Sequence, residues 1–151
     1  MDKDLIINNT LGATDDYNLL VNNISVLWNN AKEKAITAVN TELLEANWRT
    51  GQYIVEFEQD GKARAEYGKQ LLVKLSKDLT RLNGKGFNRS NLTYMRKLYL
   101  AFPKCGTLSH KLTWSHYCEI LSLDNLNKIK YYINISEQQN LSIRQLREKI
   151  K

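Results

Sequence analysis

The chain has 151 residues, 42% apolar and 25% charged, with a net charge of +6. This composition excludes wholesale disorder, and no apolar run approaches the roughly 20 residues that a membrane-spanning helix needs. The N-terminus, MDKDLIINNT, lacks the basic and apolar segments of a secretory signal. Its two cysteines, Cys105 and Cys118, do not make a disulfide framework. The sequence therefore predicts a cytoplasmic protein with reduced thiols and no membrane partner.

The charge is unevenly distributed along the chain. Residues 1–60 contain 4 Lys/Arg and 10 Asp/Glu, residues 61–104 contain 11 and 2, and residues 105–151 contain 7 and 4. A basic block beside an acidic segment is the asymmetry expected where one surface meets a polyanion. The charge pattern therefore favours nucleic-acid binding over a uniformly solvated basic surface.

The first predicted element is long and helical. Apolar residues recur at three- and four-residue steps from Tyr17 to Phe57, which predicts one helix or two in close succession, with Gly51 as the weakest point. A cap at Thr14 or Asp15 would begin it after a loose leader. Three aromatic residues at helical spacing are expected in the core or between helices: Trp28, Trp48 and Tyr53.

Two helices are predicted after Gly61. The first ends near Leu82 at the turn "NGKG", whose glycines tolerate left-handed backbone. The second begins at a cap, Asn88 or Ser90, and is stopped by Pro103. Its buried side is expected to consist of Leu92, Met95, Tyr99 and Phe102.

Three more helices are predicted in the C-terminal part. A short one opens at Thr113 or Ser115, a longer one follows Asp124, and Ser142 caps the last. Because β-branched alternation is almost absent, the sequence predicts an all-α, multi-helix domain with a helix-turn-helix-like unit and a long N-terminal helical arm. The expected segments are a leader (1–16), an acidic helical arm (17–60), a basic helix-turn-helix-like unit (61–104) and a C-terminal helical support (105–151).

The basic unit has the layout of a helix-turn-helix, in which the N-terminal residues of the second helix enter the major groove. Arg and Asn form bidentate hydrogen bonds with base edges, and Lys and Arg neutralise phosphates. Two helices joined by a glycine turn also occur in other helical proteins, so an ordinary basic surface helix is the alternative. The candidate DNA-binding residues are Lys74, Lys77, Arg81, Lys85, Arg89, Ser90, Asn91, Thr93, Arg96 and Lys97.

The sequence contains no P-loop, no G-x-S-x-G and no H-E-x-x-H motif. The chain is therefore expected to be no enzyme and to need no cofactor. Four metal-ligand residue types lie close together: Cys105, His110, His116 and Cys118. Their spacing matches none of the common zinc patterns, so a packing helix with a buried Cys118, and with His116 near its start, is the simpler interpretation, and no metal is expected.

Four stretches of the chain occur in a familiar order: NWRTGQYIVEFEQ, RAEYGKQLLVKLSKDLT, GKGFNRSNLTYMRKLYLAFP and LTWSHYCEIL. Together they resemble the N-terminal domain of the YhcG-like family, over about residues 17–150. The resemblance implies a helical bacterial DNA-binding module, followed in full-length members by a nuclease-like domain of the PD-(D/E)XK type. The chain ends about where that domain would begin, so we expect a fragment without the catalytic half or a short stand-alone member.

The residues and the resemblance together predict a non-catalytic DNA-binding module that targets a nuclease-like domain, in cis or in trans. DNA is favoured over RNA as its partner. The alternative is a helical protein-interaction or dimerisation module of a nuclease or defence-type complex, because the acidic arm can pair with another chain, including a second copy. The target sequence and the oligomeric state are left open.

Overall fold

The structure, a computed structural model, describes residues 11–61 and 67–151. In these ranges it contains six α-helices and no strand, which confirms the all-α class. Short 3-10 helices precede the second helix (Gly68–Gln70) and follow the third (Cys105–Thr107). None of the described helices is long and apolar enough to cross a membrane. The α-helices are α1 (Leu11–Gln59), α2 (Leu71–Asn83), α3 (Arg89–Ala101), α4 (Trp114–Leu121), α5 (Leu126–Gln138) and α6 (Ile143–Ile150).

Helix α1 is continuous through Gly51, so the alternative of two successive helices is wrong. It also begins at Leu11, before the predicted caps Thr14 and Asp15, and the end of the predicted leader is therefore helical. Residues 1–10 of that leader lie outside the described part of the chain. The chain divides into two compact units at Val39 and Asn40, so the second part of α1 belongs to the unit that contains α2–α6.

The second unit has a core built from two groups of side chains. The larger group joins Leu44 and Trp48 of α1 to residues of α3–α6 and their connections. The smaller joins Ile54 of α1 to Leu92 and Met95 of α3, with α2 packed against them. Trp114, the first residue of α4, packs against both groups. The second part of α1 is thus the element shared by the whole core.

At Gly51 of α1, the backbone lies directly against the backbone of α3. A Cβ atom at Gly51 would collide with the backbone carbonyl of Met95 and would lie 3.2 Å from the Cβ atom of Tyr99. One turn earlier, the Trp48 indole N–H donates to the carbonyl of Phe102 at 2.6 Å, and its ring meets that of Tyr99 edge-on at 5.3 Å. The residue that looks like a weak point in the sequence is therefore required by the packing.

Two of the three aromatic residues expected in the core are exposed. Trp48 is buried, whereas the side chains of Trp28 and Tyr53 are 61% and 65% exposed. Tyr53 follows Trp48 by five residues, which places it on roughly the opposite side of α1. Helical spacing alone did not identify which side of this long helix meets the other helices.

The turns and caps agree closely with the sequence. Gly84 and Gly86 have φ values of 85° and 108°, in the region that favours glycine. The Asn88 side chain caps α3 by accepting the Asn91 amide at 2.8 Å. Thr113 and Ser142 cap α4 and α6, each with a reciprocal bond from the third helical residue.

The stretch "WSHY" at the start of α4 connects distant segments. His116 Nδ1 accepts the Thr113 amide at 3.2 Å, so its Nε2 carries the proton and donates to the Leu141 carbonyl at 2.8 Å. The buried Tyr117 hydroxyl donates to the Ser109 carbonyl at 2.9 Å and accepts the Ser109 amide at 2.8 Å. Burial raises the pKa of Tyr117 to about 12, so the hydroxyl keeps its proton at neutral pH.

Gly51→Ala tests the importance of the close helix crossing. The added methyl group collides with backbone and not with a flexible side chain, so α1 and α3 must separate. We expect the free energy of unfolding to fall by about 1–3 kcal/mol, the usual cost of overpacking. Urea denaturation followed by circular dichroism measures this change.

Gly61→Ala is the matched control for this substitution. A Cβ atom at Gly61 meets nothing within 4 Å in the part of the chain that the structure describes. The free energy of unfolding of the Gly61→Ala variant should therefore stay the same or rise slightly. Equal destabilisation by both substitutions would contradict a special role of Gly51.

Candidate nucleic-acid interface

Helix α2 presents basic residues along one side. Lys74, Lys77 and Arg81 follow one another at steps of three and four residues and are all exposed. Lys74 forms an ion pair with Asp78 at 3.4 Å on the same helix. Lys77 and Arg81 therefore carry the uncompensated charge of this side.

The turn and the start of α3 continue the basic surface. Lys85 lies in the turn, and Arg89 and Ser90 are the first two residues of α3; all three are exposed. The first amides of a helix have no partner within it, and the helix dipole is positive at this end. A basic side chain and an anion-binding helix terminus thus coincide at Arg89.

Two of the predicted DNA-binding residues interact with other helices of the chain. Arg96 Nε lies 2.5 Å from the Glu58 carboxylate, in a half-buried pair that connects α3 to α1. The Lys97 ammonium donates to the Leu121 carbonyl at 3.2 Å and so reaches the end of α4. Both cations therefore help to hold the helices together, a role that the sequence did not reveal.

Asn91 and Thr93 also have local partners. The Asn91 side-chain amide donates to the Gly86 carbonyl at 3.1 Å, and the Thr93 hydroxyl donates to the Arg89 carbonyl at 2.8 Å. The first bond fixes the glycine turn against α3. Asn91 is therefore placed as a turn-stabilising residue rather than as a side chain that points freely outward.

Four of the predicted DNA-binding residues are cations with neither an ion pair nor a hydrogen bond to another helix in the described part of the chain. Among the residues that the structure describes, no carboxylate forms an ion pair with Lys77, Arg81, Lys85 or Arg89. We call these four residues the basic edge. Because they are exposed, their charges can be neutralised by a bound polyanion without breaking any internal ion pair.

An apolar groove that the sequence did not predict lies between two elements, the C-terminal end of α1 and helix α2. Its volume is about 520 Å³. The rings of Phe57 and Tyr67 meet at its wall with their centroids 5.8 Å apart. Lys74 and Asp78 supply charged groups at its side. The groove is apolar, so the basic edge and not the groove has the chemistry that suits phosphates.

The four side chains considered as metal ligands have separate surroundings. Both ring nitrogens of His116 are hydrogen-bonded, and Cys105 packs against the larger core group. His110 Nε2 lies 3.5 Å from the Glu45 carboxylate. Burial and the neighbouring Glu119 raise the pKa of Cys118 to about 11, so this thiol stays protonated at neutral pH. Within the described ranges, no three His, Cys, Asp or Glu side chains form a potential metal site.

The described helices define an all-α module, and a comparison with known proteins gives its family. Residues 23–151 match the family model described as "DUF1016 N-terminal domain", and the chain belongs to this family. It is 39% identical over 105 residues to the protein named "Putative nuclease YhcG" from Escherichia coli (strain K12). The resemblance seen in the sequence is thereby confirmed.

The alignment with this curated relative covers 68% of the chain but 28% of the relative. The chain therefore spans less than a third of the length of the curated protein it matches. No solved structure matches the chain.

Asn91→Ala tests whether this residue stabilises the turn. We expect the free energy of unfolding to fall by about 0.5–1.5 kcal/mol, because alanine cannot form the bond to the Gly86 carbonyl. DNA affinity per folded molecule should stay the same. Ser90→Ala, at the exposed neighbouring position, is the control and should change stability little. A weaker DNA affinity with unchanged stability would instead make Asn91 a residue that touches DNA directly.

Proposed function

We propose that the chain is a DNA-binding module that brings double-stranded DNA to a nuclease domain. The observation that carries this proposal is the basic edge: four exposed cations on α2, the turn and the start of α3, without an acidic partner in the described residues. Phosphate neutralisation by such cations supplies most of the non-specific affinity of DNA-binding proteins.

Within this proposal, the residues have different roles. Lys77, Arg81 and Lys85 bind phosphates and position the module, whereas Arg89 and Ser90 reach base edges from the start of α3. Arg96, Asn91 and Lys97 support this arrangement through their interactions with α1, the turn and α4. Lys74 and Thr93 have partners within their own helices. DNA is preferred over RNA because the major groove of B-form DNA admits a helix, whereas that of A-form RNA is too narrow.

The link to a nuclease rests on the curated relative, whose name describes a nuclease. Because the alignment covers only 28% of that protein, we assign the cutting activity to a separate domain, in cis or in trans. The module itself then contributes binding and positioning. This division of roles also agrees with the lack of a catalytic motif in the sequence.

Binding should depend steeply on salt and on the basic edge. The triple variant Lys77→Ala, Arg81→Ala, Lys85→Ala should bind a random-sequence DNA duplex more weakly than the original chain. The slope of log K against log salt should become shallower by about 0.9 for each phosphate that the variant no longer neutralises. Fluorescence anisotropy at several salt concentrations measures both quantities.

The control for this experiment removes the same charge elsewhere. Lys128, Lys130 and Lys149 are exposed residues of α5 and α6. Their triple alanine variant should retain most of the affinity. If both triple variants lose DNA affinity equally, binding depends on net charge alone and not on the basic edge. If the original chain does not bind DNA at low salt, the proposal is refuted.

Purified chain should not cut plasmid DNA in the presence of Mg²⁺ or Mn²⁺. The physical reason is that metal-dependent hydrolysis needs grouped ligands, and the described residues present no such group. Gel electrophoresis of supercoiled plasmid after incubation with the chain provides the measurement. Metal-dependent nicking that co-purifies with the chain and disappears on its removal would contradict the proposed division of roles.

A second candidate function is a helical protein-interaction module. The observation in its favour is the series of exposed apolar side chains in the first part of α1. This function is compatible with DNA binding, because it uses a different part of the chain.

A further inference from the structure

The first unit exposes a regular apolar seam on α1. Tyr17, Leu20, Ile24, Leu27 and Ala31 follow one another at alternating steps of three and four residues, the spacing of a coiled-coil interface. The four large side chains of this seam are 47–65% exposed. Trp28, exposed to a similar extent, lies directly beside the seam.

An exposed seam of this kind needs a partner. Most of the stability of a protein helix comes from packing of its apolar side, and contiguous apolar patches on a soluble surface mark interaction sites. None of the seam residues belongs to the core groups of the second unit. The partner must therefore present an apolar helix side with complementary charges.

We propose that the partner is a second copy of this chain, whose seam packs against the first in antiparallel orientation. The charges at the two ends of the seam support this choice. Asp16 directly precedes Tyr17, and Lys34 occupies the next seam position after Ala31. Both are exposed, and neither forms an ion pair within the described residues.

Antiparallel pairing brings these opposite charges together. Asp16 of each copy then lies beside Lys34 of the other, and the two-fold symmetry makes this pair twice. Parallel pairing would instead place Lys34, which lies on the seam, next to Lys34 of the second copy and far from Asp16. Like charges at such positions disfavour pairing, so the orientation follows from the sequence of the seam itself.

The same register makes the apolar layers complementary. In this register the centre of the pair lies between residues 25 and 26, so Ile24 packs against Leu27 of the second copy and Leu20 packs against the small Ala31. Tyr17 lies opposite Lys34, whose long side chain reaches the neighbouring Asp16. The central layers pair two large apolar residues, the next layers pair leucine with alanine, and the end layers place Tyr17 and Asp16 against the Lys34 side chain of the second copy. This self-complementarity favours a second copy over an unrelated protein.

The seam is short, and this limits the strength of the dimer. Stable interfaces commonly bury about 800 Å² on each partner, more than two heptads of one helix provide. The dimer should therefore dissociate on dilution. Sedimentation velocity of the full chain over a concentration series, without DNA, should show conversion from dimer to monomer.

Two variants test whether the dimer forms through the seam, one with a charge on the seam and one with the same charge on the opposite side of α1. Ile24→Glu should make the chain monomeric at every concentration. Asn22→Glu, an exposed position on the opposite side of α1, adds the same charge and should leave the dimer intact. Circular dichroism confirms that both variants remain helical. A dimer that persists in Ile24→Glu, or disappears equally in Asn22→Glu, overturns the proposal.

The orientation is tested by exchanging the end charges. Asp16→Lys and Lys34→Glu should each raise the dissociation constant several-fold, because each places like charges together. The double variant should restore dimerisation, since the attraction is recovered with its signs reversed. Single variants that dimerise normally, or a double variant that fails to recover, overturn antiparallel pairing. A chain that stays monomeric at the highest concentration overturns the choice of a second copy and makes another protein the partner.

Discussion

The close crossing of α1 and α3 at Gly51 is the interaction on which the second unit depends. Because Gly51 has no side chain, its backbone lies against the Met95 carbonyl, in a space that a Cβ atom would fill. Trp48 then reaches the Phe102 carbonyl at the end of α3, and Ile54 joins the smaller core group. Two turns after Gly51, Glu58 meets Arg96. These interacting residues lie along α1 from Trp48 to Glu58, so both core groups pack against this part of the helix.

This crossing also determines which basic residues remain available. Arg96 lies on the part of α3 next to α1, so its charge is compensated by Glu58. Lys97 faces the other direction and is held by the Leu121 carbonyl. Arg89 lies at the start of α3, beyond these interactions, and Lys77, Arg81 and Lys85 extend from it along the turn and α2. Internal packing therefore separates structural cations from exposed ones within a single basic block.

Local features of this fold could be predicted from the sequence, whereas long-range pairings could not. Caps at Asn88, Thr113 and Ser142 and the positive φ at Gly84 depend on nearby residues, and the structure confirms them. The role of Gly51 depends on Met95, which is distant in the sequence, so the sequence by itself predicts only a weak point in the helix. The prediction that Tyr53 is buried is wrong for a similar reason, because apolar spacing describes one helix and not its neighbours.

For the candidate site, the sequence identified the basic block but not the partner of each cation. An Arg at helical spacing looks the same whether a distant carboxylate meets it or not, and Glu58 precedes Arg96 by 38 residues. The net charge of a segment is therefore an upper limit on what it offers to a ligand. In this chain, folding lowers the positive charge that is available to a ligand, because Glu58 of the acidic helix α1 compensates Arg96. Within the described residues, α1 leaves the basic edge uncompensated. In the part of the chain that the structure describes, the four charges of the basic edge thus stay uncompensated after folding, which is the physical condition for attracting a polyanion over distances comparable to the Debye length.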